Sequence, residues 1–327
     1  MTLERTDFAV RTGDGVQLRV RTVSSTESTR ERAVIVLVHG ISAPLEPTYD
    51  LSRPGYSFME ELAGRGHRVV AFDHRNFGRS ERCSAMSAQP IEGDVGVHSL
   101  DDSVEDIRTV VADTRNRYRA DRVLLFGSSR GAIQALAYAV RFPSGLSLVV
   151  VNNPSEMCYL AGATSGASRD QFRQARSEAR RSHNYLFYTA DVQRQRWSKL
   201  FGADSSVDAE LQEAYLASCI ATDEEGSARK PPGFRVPTES IPDRQPLVEF
   251  RALEVPCLVV DGEEPSDFAL ACFFDCVPRS IVHRVKIHDT NHFTLRNARR
   301  FELANLVDAA ATCLSWGDRV RSKTAPR

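Results

Sequence analysis

The stretch Gly127-Ser-Ser-Arg-Gly131 sets Ser129 between two glycines, with the apolar run Val123–Phe126 leading in and the alanine-rich run Ala132–Val140 leading out. A serine is positioned to act as a nucleophile when the chain turns sharply from a buried strand into a helix and lifts the Oγ above the sheet. Strand and helix then crowd the positions two residues to either side. Gly127 and Gly131 supply the missing bulk. The competing interpretation is a glycine-rich turn whose serine merely caps the helix. Ser128 is the other hydroxyl here, in a non-central, structural position.

A nucleophilic serine needs a base, and the base needs an orienting carboxylate. The histidines downstream are His183, His283, His288 and His292. His183 falls in a polar region, and His283 and His288 fall within a predicted strand over 281–288. His292 sits in the loop just past that strand, at the carboxyl edge of the sheet, where open α/β sheets bind ligands. Ser129 is expected at the same edge, which makes His292 the candidate base. The candidate acids lie in Asp261-Gly-Glu-Glu-Pro-Ser-Asp267. Glu264 is favoured because the following proline holds it extended. Glu263 and Asp267 are the alternatives, Asp261 is assigned to turn hydrogen bonds, and Glu156 is an outside candidate. Two backbone N–H groups must receive a developing oxyanion. Arg130, after the serine, is one donor, and Ile41, in the loop after the buried run 33–40, is the other. His39 is expected to brace that loop.

These residues must be carried by a scaffold. Residues 7–23 alternate around Gly13-Asp-Gly15 as a hairpin does. Continuous apolar runs at 33–38 and 123–126, with 67–72 and 146–152, read as strands buried on both faces. Residues 57–66 and 103–118 carry helical periodicity, with Ile107, Val110, Val111 and Tyr118 on one face. Alternation of strand and helix argues for a mostly parallel α/β sheet. From 155 to 246 strand-like runs give way to polar, helical stretches, and strands resume at 255–261 and 281–288 before a final helix from Glu302. The expected division is therefore a core over 1–154 and 247–327 with a helical insertion over 155–246.

The 327 residues, 42% of them hydrophobic and 26% charged, suit a water-exposed globular chain with a core that needs no staples. A net charge of -1 gathers neither nucleic acid nor an anionic membrane. The first residues lack a basic-then-apolar pattern, so no secretory signal is expected. No apolar run approaches the roughly 20 residues of a membrane span. Seven scattered cysteines argue against a zinc site and for a reduced, cytoplasmic setting.

The segments LVHG, FDHRNFGRS, FGSSRG, VDGEEP and TNHF, in that order, resemble the α/β-hydrolase superfamily. The resemblance covers nearly the whole chain outside the insertion. It implies a mostly parallel eight-stranded sheet flanked by helices, with a helical cap after the sixth strand. It also implies a cofactor-free, metal-free serine hydrolase of the carboxylesterase type (EC 3.1), acting on a small-molecule acyl substrate. Ser129, His292 and Glu264 take the catalytic positions. Cap aromatics Tyr185, Phe187, Tyr188 and Trp197 are substrate-pocket candidates, or else the cap's own core. Asn76 replaces the first glycine of the family's Asp-x-Arg-Gly-x-Gly-x-Ser loop, and the acid loop is one residue short. Arg130 replaces an uncharged residue; its guanidinium could meet an anionic substrate group or pair with a cap carboxylate, and the pairing is the favoured expectation. An acyltransferase with the same triad and a non-catalytic ligand-binding protein remain as rivals, and a homodimer is possible.

Overall fold

The computed structural model describes residues 2–27, 32–87, 96–154, 183–201, 209–239, 248–262, 274, 277–278, 280–288, 290, 295 and 300–324. Strands β1 (Leu3–Arg11) and β2 (Gln17–Ser25) pair antiparallel around the turn at Gly15, as the alternating pattern predicts. The strands β3 (Val34–Val38), β4 (Arg68–Phe72), β5 (Val123–Ser128), β6 (Leu146–Asn152), β9 (Cys257–Asp261) and β10 (Val282–Lys286) complete an eight-stranded sheet in the order β1-β2-β4-β3-β5-β6-β9-β10. Pairing is parallel from β4 through to β10, and β2 meets β4 antiparallel.

Period-2 alternation divides each central strand between two apolar layers. Val34, Val36 and Val38 of β3, with Val123 and Leu125 of β5, face one layer. There they meet α4 (Leu100–Tyr118) and α5 (Arg130–Arg141). Ile35, Leu37, Leu124 and Phe126 face the other layer. That layer is covered by α1 (Leu45–Tyr49), α2 (Phe58–Gly64) and α9 (Arg300–Thr324). Helix α4 starts on a capping box, with Ser99 accepting from Asp102 N–H and the Asp102 side chain accepting from Ser99 N–H. A short helix α3 (Ser84–Ser87) precedes it.

The segment between β6 and β9 departs from the helical expectation. It holds α6 (Ala190–Phe201), α7 (Ala209–Ala221) and α8 (Glu224–Ser227), but also two strands. Strand β7 (Tyr185–Thr189) pairs antiparallel with β8 (Gly233–Pro237) as a separate small sheet. The reason is local: Tyr-Leu-Phe-Tyr-Thr is aromatic and β-branched, and its ladder partner Gly-Phe-Arg-Val-Pro lies far along the chain. Among the described residues no helix is long and apolar enough to cross a membrane.

Candidate active site

Ser129 sits between the end of β5 and the first residue of α5, with φ 57° and ψ -122°. A non-glycine residue held in this region carries about 1–3 kcal/mol of backbone strain, which the surroundings must impose. Ser129 N–H donates to Asn152 O at 2.9 Å, and Ser129 O accepts from Ala132 N–H at 3.1 Å. Both glycines are required by close approach. A Cβ on Gly127 would lie 2.8 Å from Ala132 Cα, and one on Gly131 would lie 2.6 Å from His39 O. The Ser129 side chain makes no capping hydrogen bond to α5, so the capping role is not the one it plays. Ser128 Oγ is turned away and donates to Asn152 Oδ1 at 3.3 Å.

The loop after β3 lies against this turn. A Cβ on Gly40 would sit 3.3 Å from Ser129 Cβ and 3.6 Å from Arg130 N. Gly40 thus allows His39-Gly40-Ile41 to approach the backbone at Arg130. His39 holds the loop from within. Its Nε2 accepts the His74 N–H at 3.0 Å, so the ring proton is on Nδ1, which donates to Gly40 O at 2.7 Å. His39 is therefore neutral and structural, and burial lowers its pKa.

The loop after β4 is knitted into the same region. Asp73 is fully buried and accepts from Leu45 N–H at 2.8 Å and Arg79 N–H at 3.0 Å. Asn76 adopts φ 69°, the left-handed conformation that favours the glycine it replaces. Its side chain fastens the loop by donating to Val97 O at 2.7 Å and accepting from Cys83 N–H at 2.8 Å. Three buried imidazoles stack edge to face here. The His39 and His74 centroids are 4.9 Å apart, and His74 and His98 are 5.7 Å apart. His98 Nε2 is 2.7 Å from Ser103 Oγ, which also accepts from Gln134 at 2.8 Å. Burial first, then the neighbouring imidazole, pushes His74 well below its ordinary value and His98 down to about 3. His74 and His98 escaped sequence reasoning, because only tertiary burial marks them. No group of three or more His, Cys, Asp or Glu suited to a metal occurs among the described residues.

The proposed base His292 and the acids Glu264, Glu263 and Asp267 lie outside the described residues, as does Glu156. The strands that lead to their loops are described. Strand β9 is separated from β5 only by β6, and β10 follows β9, all parallel. Their carboxyl ends therefore face the same edge as Ser129. Asp261 is engaged elsewhere, its carboxylate accepting from Arg284 Nη2 at 2.6 Å. Asn153 Oδ1 accepts from Gly262 N–H at 2.8 Å and so pins the start of the acid loop to the end of β6. His183 precedes β7 in the segment between β6 and β9, and His283 is exposed on β10.

Arg130 does pair with a carboxylate from the insertion: its Nη2 is 2.5 Å from Glu239 Oε2. The aromatics of the insertion pack largely among themselves. Tyr185 Oη accepts from Arg229 Nη2 at 2.9 Å, and the Arg229 guanidinium lies 4.9 Å from the Phe187 ring centroid. Tyr188 leans on Phe234 at 5.8 Å and Trp197 on Tyr215 at 4.9 Å. Tyr188 and Trp197 belong to a cluster that also takes in Ile41, Ala43 and Phe77. The described residues of this segment thus pack against the loops after β3 and β4, the first of which lies beside Ser129.

A family model described as serine aminopeptidase, S33, matches residues 29–160. The thioesterase domain from the curacin biosynthetic pathway superposes with a TM-score of 0.59 at 18% identity, covering 93% of this chain and 99% of that one. The chain has the α/β-hydrolase fold. Carboxylesterase CesB from Bacillus subtilis shares this fold at a TM-score of 0.57 and 15% identity, over 93% of this chain and 90% of that one. A monoacylglycerol lipase of Mycolicibacterium smegmatis is 29% identical over 132 residues. That alignment spans 40% of this chain and 40% of the relative's length.

Proposed function

We propose that this protein is a hydrolase that cleaves an ester-like bond of a small acyl substrate through an acyl-enzyme on Ser129. His292 takes the Ser129 proton as Oγ attacks the carbonyl carbon, and Glu264 orients the imidazole. The N–H groups of Ile41 and Arg130 receive the oxyanion. His292 then protonates the leaving group. Water, deprotonated by the same imidazole, releases the acid and restores Ser129. The insertion acts as a cap over the serine.

The observation that carries this reading is the backbone of Ser129, held at φ 57° with its side chain spared from capping. Strain at the residue between a buried strand and a helix is what lifts a nucleophilic Oγ above the sheet. Likeness to a monoacylglycerol lipase, a carboxylesterase and a thioesterase supports an ester or thioester as the scissile bond. The test is a chain-length series of p-nitrophenyl esters against wild type and Ser129→Ala. Wild type should turn over one or more members, and Ser129→Ala should lower kcat by roughly 10⁴-fold. An active Ser129→Ala enzyme would end this reading.

A further inference from the structure

Arg130 follows Ser129 directly, and its side chain is 3% exposed; Glu239, its partner at 2.5 Å, is 9% exposed. The two come from different parts of the fold. Arg130 opens α5 of the core, and Glu239 follows β8 of the insertion. Glu239 is placed by backbone as well as by charge. Val97 N–H donates to Thr238 O at 3.1 Å, and His98 and Glu239 form a parallel bridge. Thr238 N–H in turn donates to Asn184 O at 3.1 Å, which extends the β7–β8 pairing to this point.

A guanidinium one residue from the nucleophile would attract acyl groups that carry a carboxylate. Water screens it poorly, because the side chain is buried. Glu239 opposes that charge at contact distance. We infer that Glu239 is a specificity-determining residue, which neutralises Arg130 beside Ser129 so that the enzyme takes esters with uncharged acyl groups. The inference rests on the serine-hydrolase reading and adds to it the charge class of the substrate. A pair that merely held the insertion in place would, when broken, slow neutral and anionic substrates alike.

The experiment compares kcat/KM for p-nitrophenyl butyrate and p-nitrophenyl hemisuccinate, two esters of similar length that differ in one carboxylate. Wild type should favour the butyrate. A unit charge ~10 Å from the substrate carboxylate, at an effective dielectric constant of ~20, changes the ratio on the order of tenfold. Glu239→Gln should raise the hemisuccinate-to-butyrate ratio by that factor, chiefly through KM. Arg130→Gln should lower it below wild type. The double variant, in which two neutral side chains replace the pair, should return the ratio to within about threefold of wild type. Should Glu239→Gln fail to fold, as judged by circular dichroism, Arg130→Gln and the double variant still decide the matter. Ratios that stay at the wild-type value in all folded variants overturn the inference while leaving the hydrolase reading intact. If wild type cleaves neither ester while turning over other members of the chain-length series, the inference fails alone; if it cleaves no member of the series, or Ser129→Ala cleaves both esters, the hydrolase reading fails and the inference with it.

Discussion

Acidification from pH 7.5 to 5.0 should destabilise this protein through the imidazoles behind the active-site loops. His98 has an ordinary value of 6.5 and is held at about 3 in the fold by burial, then by His74, against the opposing pull of Asp106. In the unfolded chain it binds a proton below roughly 6.5; in the fold it stays neutral until about 3. The unfolded state therefore binds more protons across that interval, and stability falls as pH falls. At pH 5.0 the difference is 6.5 minus 5.0, and at 1.36 kcal/mol per unit His98 alone costs about 2 kcal/mol. His39, His74 and His67 are also lowered by burial and act in the same direction. The carboxylates that are lowered, Asp14 at about 2 among them, lose their contribution further down. The assay is urea denaturation of wild type and His98→Gln at both pH values. The substitution should cost stability at pH 7.5, and the gap between the two proteins should narrow by about 2 kcal/mol at pH 5.0. Parallel profiles through this window would refute the assignment of His98 as a buried neutral group.

Other perturbations test the active-site turn and the acid loop. Gly131→Ala places a methyl group against the backbone carbonyls of Val38 and His39, neither of which can step aside without shifting β3. It should lose about 3 kcal/mol in urea melts, the upper end of ordinary overpacking costs; a loss below 0.5 kcal/mol would mean the turn is looser than described. Glu264→Gln should lower kcat by roughly 10²- to 10⁴-fold with little change in KM, whereas Glu263→Gln and Asp267→Asn should stay within about threefold of wild type. The reverse ranking would move the acid to one of its neighbours.

The hairpin at residues 3–25 and the parallel strands could be read directly, because alternation and unbroken apolar runs report a strand's two faces without tertiary information. The turn at Ser129 was legible for a related reason. Gly127 and Gly131 are needed where backbone meets backbone, and that need is written in the residue types. Asn76 illustrates the limit: as a departure from a family glycine it looked like a mismatch, yet its φ of 69° preserves the same conformation. The strands β7 and β8 were missed. Each is five residues long, and each is stabilised by a partner more than forty residues away. Glu239 was missed for the same cause. A charged residue in a proline-rich connector reads as solvated until the fold carries it to Arg130. Histidines 74 and 98 have no local signature, since burial alone distinguishes them.

Everything proposed for this protein depends on an activated hydroxyl at Ser129 served by His292. Peptide mapping by mass spectrometry after reaction with a fluorophosphonate reads that hydroxyl directly. A single adduct on Ser129 is expected in wild type, with labelling slowed by at least about 10³-fold in His292→Ala. An unlabelled protein, an adduct on another residue, or equal labelling of wild type and His292→Ala would contradict it.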